Sequence, residues 1–202
     1  MEDIMVLEES MRRARHAFIV VSPTARTDTS YPLRGYAGAS GRIDVVAVSM
    51  IASSSLEDSM FMGVLLGPPS PPLTIFTTPG CRPPKSERGA VSWIRVAVAK
   101  GSYECLRTAR IGLLDAASML VREGFRLVVL SEDGIDFPKA QILGGKTAFI
   151  LGSHVDIPEH LMSELYSVAR PVKASVGPRS LHSSHVILLV SWLLRGQNRS
   201  PG

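Results

Sequence analysis

The sequence predicts an α/β fold with a mostly parallel β-sheet and helices on both of its faces. Three short strand-like segments in the second half, residues 127–134, 148–152 and 172–176, each stop at a glycine or directly before one. Strand and helix patterns alternate through this half, as they do where crossover helices join parallel strands. With 202 residues, 45% hydrophobic and 20% charged, the chain can bury a sizeable core in one domain.

The first fifteen residues are predicted to be an extension, and residues 16–202 to form the domain itself. The extension is acidic and then basic, and it precedes a first strand at residues 17–21. We expect it to be a short helix or a disordered arm. Its cluster of Arg12, Arg13 and Arg15 could contact RNA, but a solvated face is the simpler role.

A long polar loop at residues 22–41 carries Arg26 and Arg34 together with Tyr31 and Tyr36. Loops of this length in a compact domain are usually functional or disordered. Interleaved arginines and tyrosines suit single-stranded RNA, because the cations bind phosphates and the rings stack on bases. RNA binding through Arg26, Arg34 and Tyr36 and a mobile solvent loop both remain open.

Gly41 precedes a predicted helix whose apolar residues recur at helical spacing, namely Ile43, Val46, Ala47, Met50 and Ile51. Arg42 and Asp44 fall in or beside its first turn. A carboxylate near a helix N-terminus is favourable by up to ~1 kcal/mol. On this pattern alone Asp44 therefore needs no further role.

The middle of the chain alternates between strands and helices. Strands are predicted at residues 60–66 and 73–77, a turn at 78–84, and helices at 87–100 and 109–121. The proline-rich stretch at residues 67–72 cannot join a strand ladder, because proline has no N–H. A ligand for a proline-binding domain is the competing interpretation, and the strand leading directly into the stretch disfavours it.

The last strand is interrupted by Gly177 and Pro178, and Ser180 is placed to cap a helix over residues 181–194. Such a turn between strand and helix exposes backbone groups, as small-molecule sites in α/β folds often do. The helix carries Trp192 and more large apolar surface than a small sheet needs. We therefore expect a homodimer.

Composition and charge exclude several classes of protein. No apolar run reaches the ~20 residues of a membrane helix, and acidic residues stand where a secretory signal would be positive. Cys81 and Cys105 lack metal-type spacing, so we expect the reducing cytoplasm and no disulfide. Of the 22 cationic residues, 17 are arginine. This bias suits phosphate and base contacts, but genome composition or heat stability accounts for it equally well.

Motifs for several common chemistries are absent from the sequence. The chain has no GxGxxG, GxxxxGK[ST] or GxSxG, so dinucleotide-binding, P-loop and hydrolase-elbow interpretations lack their residues. His182 and His185 have no cysteine or Glu-x-x-His pattern beside them, so no metal is expected. Ser184 and His185 are adjacent on a predicted helix and point apart, which disfavours a triad. The remaining site, made of backbone and apolar groups at three strand ends, suits an adenosine with a thioether tail.

The chain contains a set of short motifs that recurs in one family. Residues 128–134 read Val-Val-Leu-Ser-Glu-Asp-Gly, 151–154 Leu-Gly-Ser-His, 175–180 Ser-Val-Gly-Pro-Arg-Ser, 41–45 Gly-Arg-Ile-Asp-Val and 67–72 Gly-Pro-Pro-Ser-Pro-Pro. Together they resemble the SPOUT class of RNA methyltransferases, and specifically the archaeal family that methylates N1 of pseudouridine 54 in tRNA. The resemblance spans nearly the whole chain from about His16.

This resemblance implies a deep trefoil knot, with the knot and an S-adenosylmethionine (SAM) site within about residues 127–195. It further implies a homodimer that acts on tRNA. The implied cofactor contacts are Leu130, Gly152, Ser175, Val176, Gly177, Pro178, Arg179, Ser180 and Val186. Methyl transfer mainly needs alignment of the acceptor and removal of its proton. Asp44 is therefore the expected acceptor for the N1 proton, and Arg42 is expected to orient it or to bind phosphate.

Three positions depart from the family pattern. Ser153 stands where aspartate follows Leu-Gly, Val176 replaces leucine, and Val186 replaces the cysteine of Ser-His-Cys. The exchange of leucine for valine is nearly neutral for packing, whereas the lost carboxylate and thiol bear on cofactor geometry. Two alternatives to the tRNA activity therefore stay open: methylation of another pseudouridine, such as one in rRNA, and a non-catalytic RNA-binding or regulatory protein.

Overall fold

A computed structural model describes residues 2–140, 142 and 144–197 of the chain. Its strands are β1 (His16–Ser22), β2 (Ser59–Leu65), β3 (Leu73–Thr77), β4 (Ser102–Tyr103), β5 (Leu106–Ala109), β6 (Arg126–Asp136), β7 (Thr147–Gly152) and β8 (Val172–Ser175). Its helices are α1 (Glu2–Arg13), α2 (Tyr36–Ala39), α3 (Ile43–Ser53), α4 (Glu87–Lys100), α5 (Leu113–Arg122), α6 (Glu159–Ala169) and α7 (Ser183–Gln197), with a 3₁₀ turn at Phe137–Ala140.

The strands form one sheet in the order β4-β5-β3-β2-β1-β7-β6-β8. The central strand β1 pairs in parallel with β2 and β7, and β6 pairs in parallel with β7 and β8. Every residue of β1 and β2 is buried, as expected for strands covered on both faces. The predicted mostly parallel sheet is confirmed.

Helices cover both faces of the sheet. On one face α3, α4 and α7 contribute residues such as Met50, Ile94 and Val190 to one apolar cluster. On the other face α1, α5 and α6 contribute Met11, Leu120 and other residues to a second cluster. The alternation of apolar strands and amphipathic helices in the sequence therefore produces the expected three layers.

One edge of the sheet is antiparallel, and the sequence did not predict it. β3 pairs antiparallel with β2 and β5, and β5 pairs with the two-residue strand β4. The predicted helix at residues 109–121 begins only at Leu113, because Ala109 still belongs to β5. The N–H of Gly112 donates to Asp115 Oδ2 at 3.1 Å, which marks the actual start of the helix.

The N-terminal extension is a helix, α1, and one face of it is part of the core. Leu7 and Met11 are fully buried in the second cluster. Lys146 Nζ donates to the carbonyls of Met11 and Arg12, at 3.0 and 2.8 Å. The helical alternative is thus confirmed, and Arg12 lies on its outer face in ion pairs with Glu9 and Glu123.

The two cysteines form a disulfide, so the prediction that the chain has none is wrong. Cys81 and Cys105 are 24 positions apart, and their Cα atoms lie 5.6 Å apart. The bond joins the turn after β3 to the loop between β4 and β5. The prediction failed because it relied on spacing and composition, while the unforeseen β4–β5 hairpin brings the two residues together.

The C-terminal segments cross closely at the strand ends. A bulge in β6 leaves both Leu130 and Ile135 opposite Ala174, and a Cβ on Gly134 would overlap the backbone of Ala174. The trefoil knot stays a prediction from the resemblance. Within the described ranges, none of the helices has the length and apolarity to cross a bilayer.

Candidate active site

A cavity of about 180 Å³ lies where the parallel strands β7 and β8 end, next to the bulge in the middle of β6. Leu130 belongs to β6, Leu151 and Gly152 close β7, and Val176 and Gly177 follow β8. Ser183 and Val186 of α7 complete the wall. The carboxyl ends of parallel strands are the usual place for ligands in such folds.

Most of the predicted cofactor residues line this cavity. Those that do are Leu130, Gly152, Val176, Gly177, Arg179, Ser180 and Val186. Ser175 and Pro178 do not line it. Ser175 is buried instead, and its Oγ donates to Gly177 O at 2.9 Å and accepts from Gly177 N at 3.1 Å. Ser175 therefore shapes the turn rather than the wall.

Glycine is required at two positions of the cavity for different reasons. Gly177 has φ +153°, and a Cβ there would meet no other atom within 4 Å. Its side-chain position therefore faces open space, in a backbone conformation that glycine alone adopts readily. At Gly152 a Cβ would stand 2.7 Å from Val155 O, so this glycine permits the tight loop after β7.

This arrangement fits an adenosine-containing ligand with a thioether tail. The backbone at Gly177 can be approached closely, and Leu130, Val176 and Val186 supply apolar surface. A second hollow of about 360 Å³ shares Leu130 and Gly152 with the first cavity. It adds Ile157, Met162 and Tyr166, so apolar side chains extend beyond the first cavity, whose own wall also carries polar groups such as Glu132 and Asp156.

Several lining residues were not predicted from the sequence. They are Ser131, Glu132, Leu151, Ser153, His154, Val155, Asp156, Leu181 and Ser183. Ser183 is the most informative, because its Oγ contacts Gly152 O at 2.8 Å and Ser153 O at 3.0 Å. The helix begins at Ser183, where this bond holds it to the end of β7, and not at Leu181 after a Ser180 cap.

Arg42 and Asp44 form a bidentate ion pair at the start of α3. Arg42 Nε lies 3.1 Å from each carboxylate oxygen of Asp44, and Nη2 lies 2.9 Å from Oδ2. The hydrogen bond to Asp44 raises the pKa of Arg42, so the guanidinium stays charged. Asp44 lies in the first turn as predicted, with only 13% of its side chain exposed. Neither residue lines the cavity.

The backbone of Arg42 is strained. Its φ of 70° and ψ of 41° place it in the left-handed region, which a long side chain rarely adopts. Gly41 before it also has a positive φ, of 67°. Strain of this kind costs about 1–3 kcal/mol and often occurs at functional sites. The turn thus fixes the orientation of the Arg42–Asp44 pair, and the strain lowers local stability.

The candidate RNA-binding residues differ in their availability. Arg26 is engaged by Asp28 through two hydrogen bonds of 2.7 Å, which lower the pKa of Asp28 to about 2. The Tyr36 hydroxyl donates to Glu87 Oε1 at 2.5 Å, and this bond raises its pKa to about 12. Arg34 is exposed and forms no ion pair with any residue that the structure describes.

Tyr31 does not stack on RNA as the loop composition suggested. It is 3% exposed and packs in the core, with the guanidinium of Arg95 5.7 Å from its ring centre. Burial raises its pKa to about 12. The loop is also anchored, because Thr27 N donates to Pro68 O at 2.9 Å and Arg26 N donates to Ser40 O at 2.9 Å.

A metal site is not found among the described residues, where no three His, Cys, Asp or Glu side chains converge. The rings of His182 and His185 stand 5.6 Å apart, edge to face. Their contact is that of two packed aromatic rings.

Comparison with known proteins agrees with this geometry. Residues 15–198 match the sequence model of a family described as "Putative SAM-dependent RNA methyltransferase". The tRNA (pseudouridine(54)-N(1))-methyltransferase of Aeropyrum pernix is 38% identical over 181 residues, which cover 87% of this chain and 92% of that protein. The protein of the same name from Methanospirillum hungatei is 31% identical over 183 residues, which cover 86% of this chain and 93% of that protein.

Solved structures show the same fold. Nep1 of Archaeoglobus fulgidus, bound to S-adenosylhomocysteine, superposes with a TM-score of 0.65 at 18% identity, over 90% of this chain and 99% of that one. The SpoU methyltransferase AviRb of Streptomyces viridochromogenes superposes with a TM-score of 0.50, over 96% of this chain and 65% of that one. The resemblance found in the sequence is therefore confirmed, and the chain belongs to this family of SAM-dependent RNA methyltransferases.

Proposed function

We propose that this protein methylates N1 of pseudouridine 54 in tRNA, with SAM as the methyl donor. The observation that carries the proposal is the cavity at the ends of β7 and β8, which most of the expected cofactor residues line. Relatives at 38% and 31% identity bear the name of this activity. Other pseudouridine sites and a non-catalytic role are outcomes of the test below.

In the proposed mechanism, the protein positions the two reactants, and the methyl donor supplies the reactivity. SAM contributes a methyl group on a sulfonium, which needs no further activation. The turn at Gly177 and the apolar residues Leu130 and Val186 would hold it. Ser183 fixes the start of α7 to the end of β7, so the cavity wall keeps its shape. Alignment of acceptor and donor accounts for most of what such an enzyme must supply.

Asp44 is proposed to accept the proton that leaves N1 of pseudouridine. Its carboxylate is held by Arg42 through contacts of 2.9–3.1 Å, so its direction is fixed before the RNA binds. A carboxylate has about four acceptor positions, and the arginine does not use all of them. Arg42 is 45% exposed and can also face an RNA phosphate.

The proposal includes the RNA face, the assembly and the compartment. Arg34 is the best placed of the loop cations to bind phosphate, since Arg26 is already paired with Asp28. Leu188, Leu189 and Trp192 form an exposed apolar strip on α7, which we infer to be covered in a homodimer. Action on tRNA implies that the protein works in the cytoplasm.

Nucleoside mass spectrometry tests the proposal directly. The protein and SAM are incubated with two otherwise identical tRNA transcripts, one carrying pseudouridine and one carrying uridine at position 54. We expect N1-methylpseudouridine in the first digest and no methylated product in the second. Methylation of an rRNA fragment in a parallel reaction, without methylation of the tRNA, would favour a pseudouridine site in rRNA. Lack of any product together with lack of SAM binding would favour the non-catalytic role.

A further inference from the structure

The hydroxyl of Thr24 lies between the cofactor cavity and the Arg42–Asp44 turn. Thr24 Oγ1 donates to Gly41 O at 2.8 Å and lies 3.4 Å from Nε2 of His154. His154 lines the cavity, and Gly41 directly precedes Arg42. We propose that Thr24 is a positioning residue that couples ligand binding at His154 to the orientation of Arg42 and Asp44. This inference rests on the proposed function.

The hydrogen-bond geometry fixes the direction of this chain of contacts. A threonine hydroxyl has one proton, and the shorter bond assigns it to Gly41 O. Thr24 can therefore only accept from His154, so Nε2 carries a proton. In neutral His154, Nδ1 then accepts from Ser153 Oγ, 3.3 Å away. The contacts run from Ser153 through His154 and Thr24 to Gly41.

The backbone around Thr24 can pass a displacement on to this turn. A Cβ added to Gly41 or to Gly67 would overlap the carbonyl of Thr24, so the segment is held between these two glycines. Gly67 N donates to Ala25 O at 2.9 Å, and Ala25 is fully buried. A shift of Thr24 toward Gly41 therefore displaces Gly41. The packing against Gly67 and the buried Ala25 prevents Thr24 from moving the other way.

The contact to His154 has room to shorten. Its 3.4 Å exceeds the usual 2.9–3.0 Å of an N–H···O bond. His154 lines the cavity and its contact with Thr24 is exposed, so a ligand that contacts His154 can press the ring toward Thr24. Catalytic hydrogen bonds are often long before the ligand binds and tighten afterwards. Binding of SAM would thus draw the Gly41–Arg42 turn into its working orientation.

Two substitutions at Thr24 separate the hydroxyl from the packing. Thr24→Val removes the hydroxyl and keeps the shape, and Thr24→Ser keeps the hydroxyl. In single-turnover methylation of pseudouridine-54 tRNA at saturating SAM we expect the Thr24→Val protein to be slower by about tenfold. Because coupling between two sites is reciprocal, SAM affinity should change by no more than a similar factor. We expect Thr24→Ser to stay close to the wild type. Equal rates in all three proteins, or equal losses in both variants, would overturn the coupling.

A measurement without catalysis tests the same coupling in the free enzyme. S-adenosylhomocysteine is added to ¹⁵N-labelled protein, and the Nε–H signal of Arg42 and the amide of Gly41 are followed by NMR. Both signals should shift in the wild type and in Thr24→Ser, and stay in place in Thr24→Val. If the wild type binds the ligand but makes no product, the proposed function fails, and these shifts still decide the coupling.

Thr27→Val is the matched control for these experiments. The Thr27 hydroxyl donates to Gly67 O at 3.3 Å and accepts from Ser70 N at 2.9 Å, so its bonds do not involve Gly41 or Arg42. Its loss should lower stability but keep the shifts at Arg42 and Gly41. Disappearance of these shifts in Thr27→Val as well would mean that general loosening of the segment, not the Thr24 hydroxyl, carries the effect.

Discussion

Arg42 holds Asp44 by three contacts of 2.9–3.1 Å while its own backbone is left-handed, with φ 70°. A helix start needs no such conformation, because an ordinary extended residue can precede the first turn. The pair instead fixes the direction of one carboxylate. A charge that only favoured the helix N-terminus would not need this second constraint.

The role of Asp44 is tested by Asp44→Asn. A positioned proton acceptor contributes about 10²- to 10⁴-fold, so we expect single-turnover methylation to fall by that factor with unchanged SAM affinity. A purely electrostatic role at the helix start would cost at most ~1 kcal/mol of stability and leave turnover intact. Full activity of the Asp44→Asn protein would assign the proton to water or to an RNA phosphate.

Arg42→Lys is the companion variant. It keeps a positive charge but loses the planar fork that contacts both carboxylate oxygens. If Arg42 mainly holds Asp44, the variant should methylate slowly and still bind tRNA. If Arg42 mainly holds phosphate, tRNA binding should keep its salt dependence and the methylation rate should change little.

The contribution of Gly177 is tested by Gly177→Val. The added side chain would project into space that the protein leaves open, so SAM affinity should be lost. The φ of +153° adds a strain of about 1–3 kcal/mol. Gly124→Val, at φ +82° and with open space around its Cβ, introduces strain at a residue that does not line the cavity and is the control. Unchanged calorimetric affinity in Gly177→Val would place the cofactor elsewhere.

The sequence predicted elements well where local pattern and tertiary contacts agree. Helix α4 and strand β3 have the predicted bounds, because Ser86 caps the former and a proline precedes the latter. Strands β4 and β5 were missed, since Leu106–Ala109 is too short to show a strand period and derives its pairing from β3. Prediction failed here because so short a strand has no pattern of its own and its partner is distant in sequence.

The same limit applies to the site. Glycines at the strand ends marked the cavity wall, because their backbone preferences are local. His154 and Ser183 were not predicted as site residues, since their roles depend on partners such as Thr24, 130 positions away from His154, and Gly152. The burial of Tyr31 was not predicted for a related reason: it comes from packing against the core.

The disulfide should contribute measurably to stability. A bond that closes a loop of 24 positions restricts the unfolded chain by about 3 kcal/mol. Reduction should therefore lower the free energy of unfolding by about that amount in urea titrations. The Cys81→Ser/Cys105→Ser protein should match the reduced wild type and not respond to reductant. Two titratable free thiols in the folded, unreduced protein would show that the bond does not form.

The assembly is tested through the exposed strip on α7. Trp192 is 69% exposed and Leu188 47%, so a homodimer would remove a large apolar area from water. We expect a dimer by light scattering at micromolar concentration and a monomer for Trp192→Glu. Met5→Glu changes a similarly exposed apolar residue on α1 and should leave the dimer intact. A monomeric wild type would refute the assembly.

Stability should also fall at mildly acidic pH because of His16. This residue is 6% exposed in β1, and burial lowers its pKa below the usual 6.5. As the pH drops below about 6.5, this histidine binds a proton in the unfolded chain but stays neutral in the folded protein. The free energy of unfolding therefore decreases. Above that pH both states are neutral at this position, and the effect is absent. Urea titrations at about pH 7.5 and about pH 5 should show a larger loss in the wild type than in His16→Gln. Parallel pH profiles for the two proteins would assign the acid sensitivity to other groups.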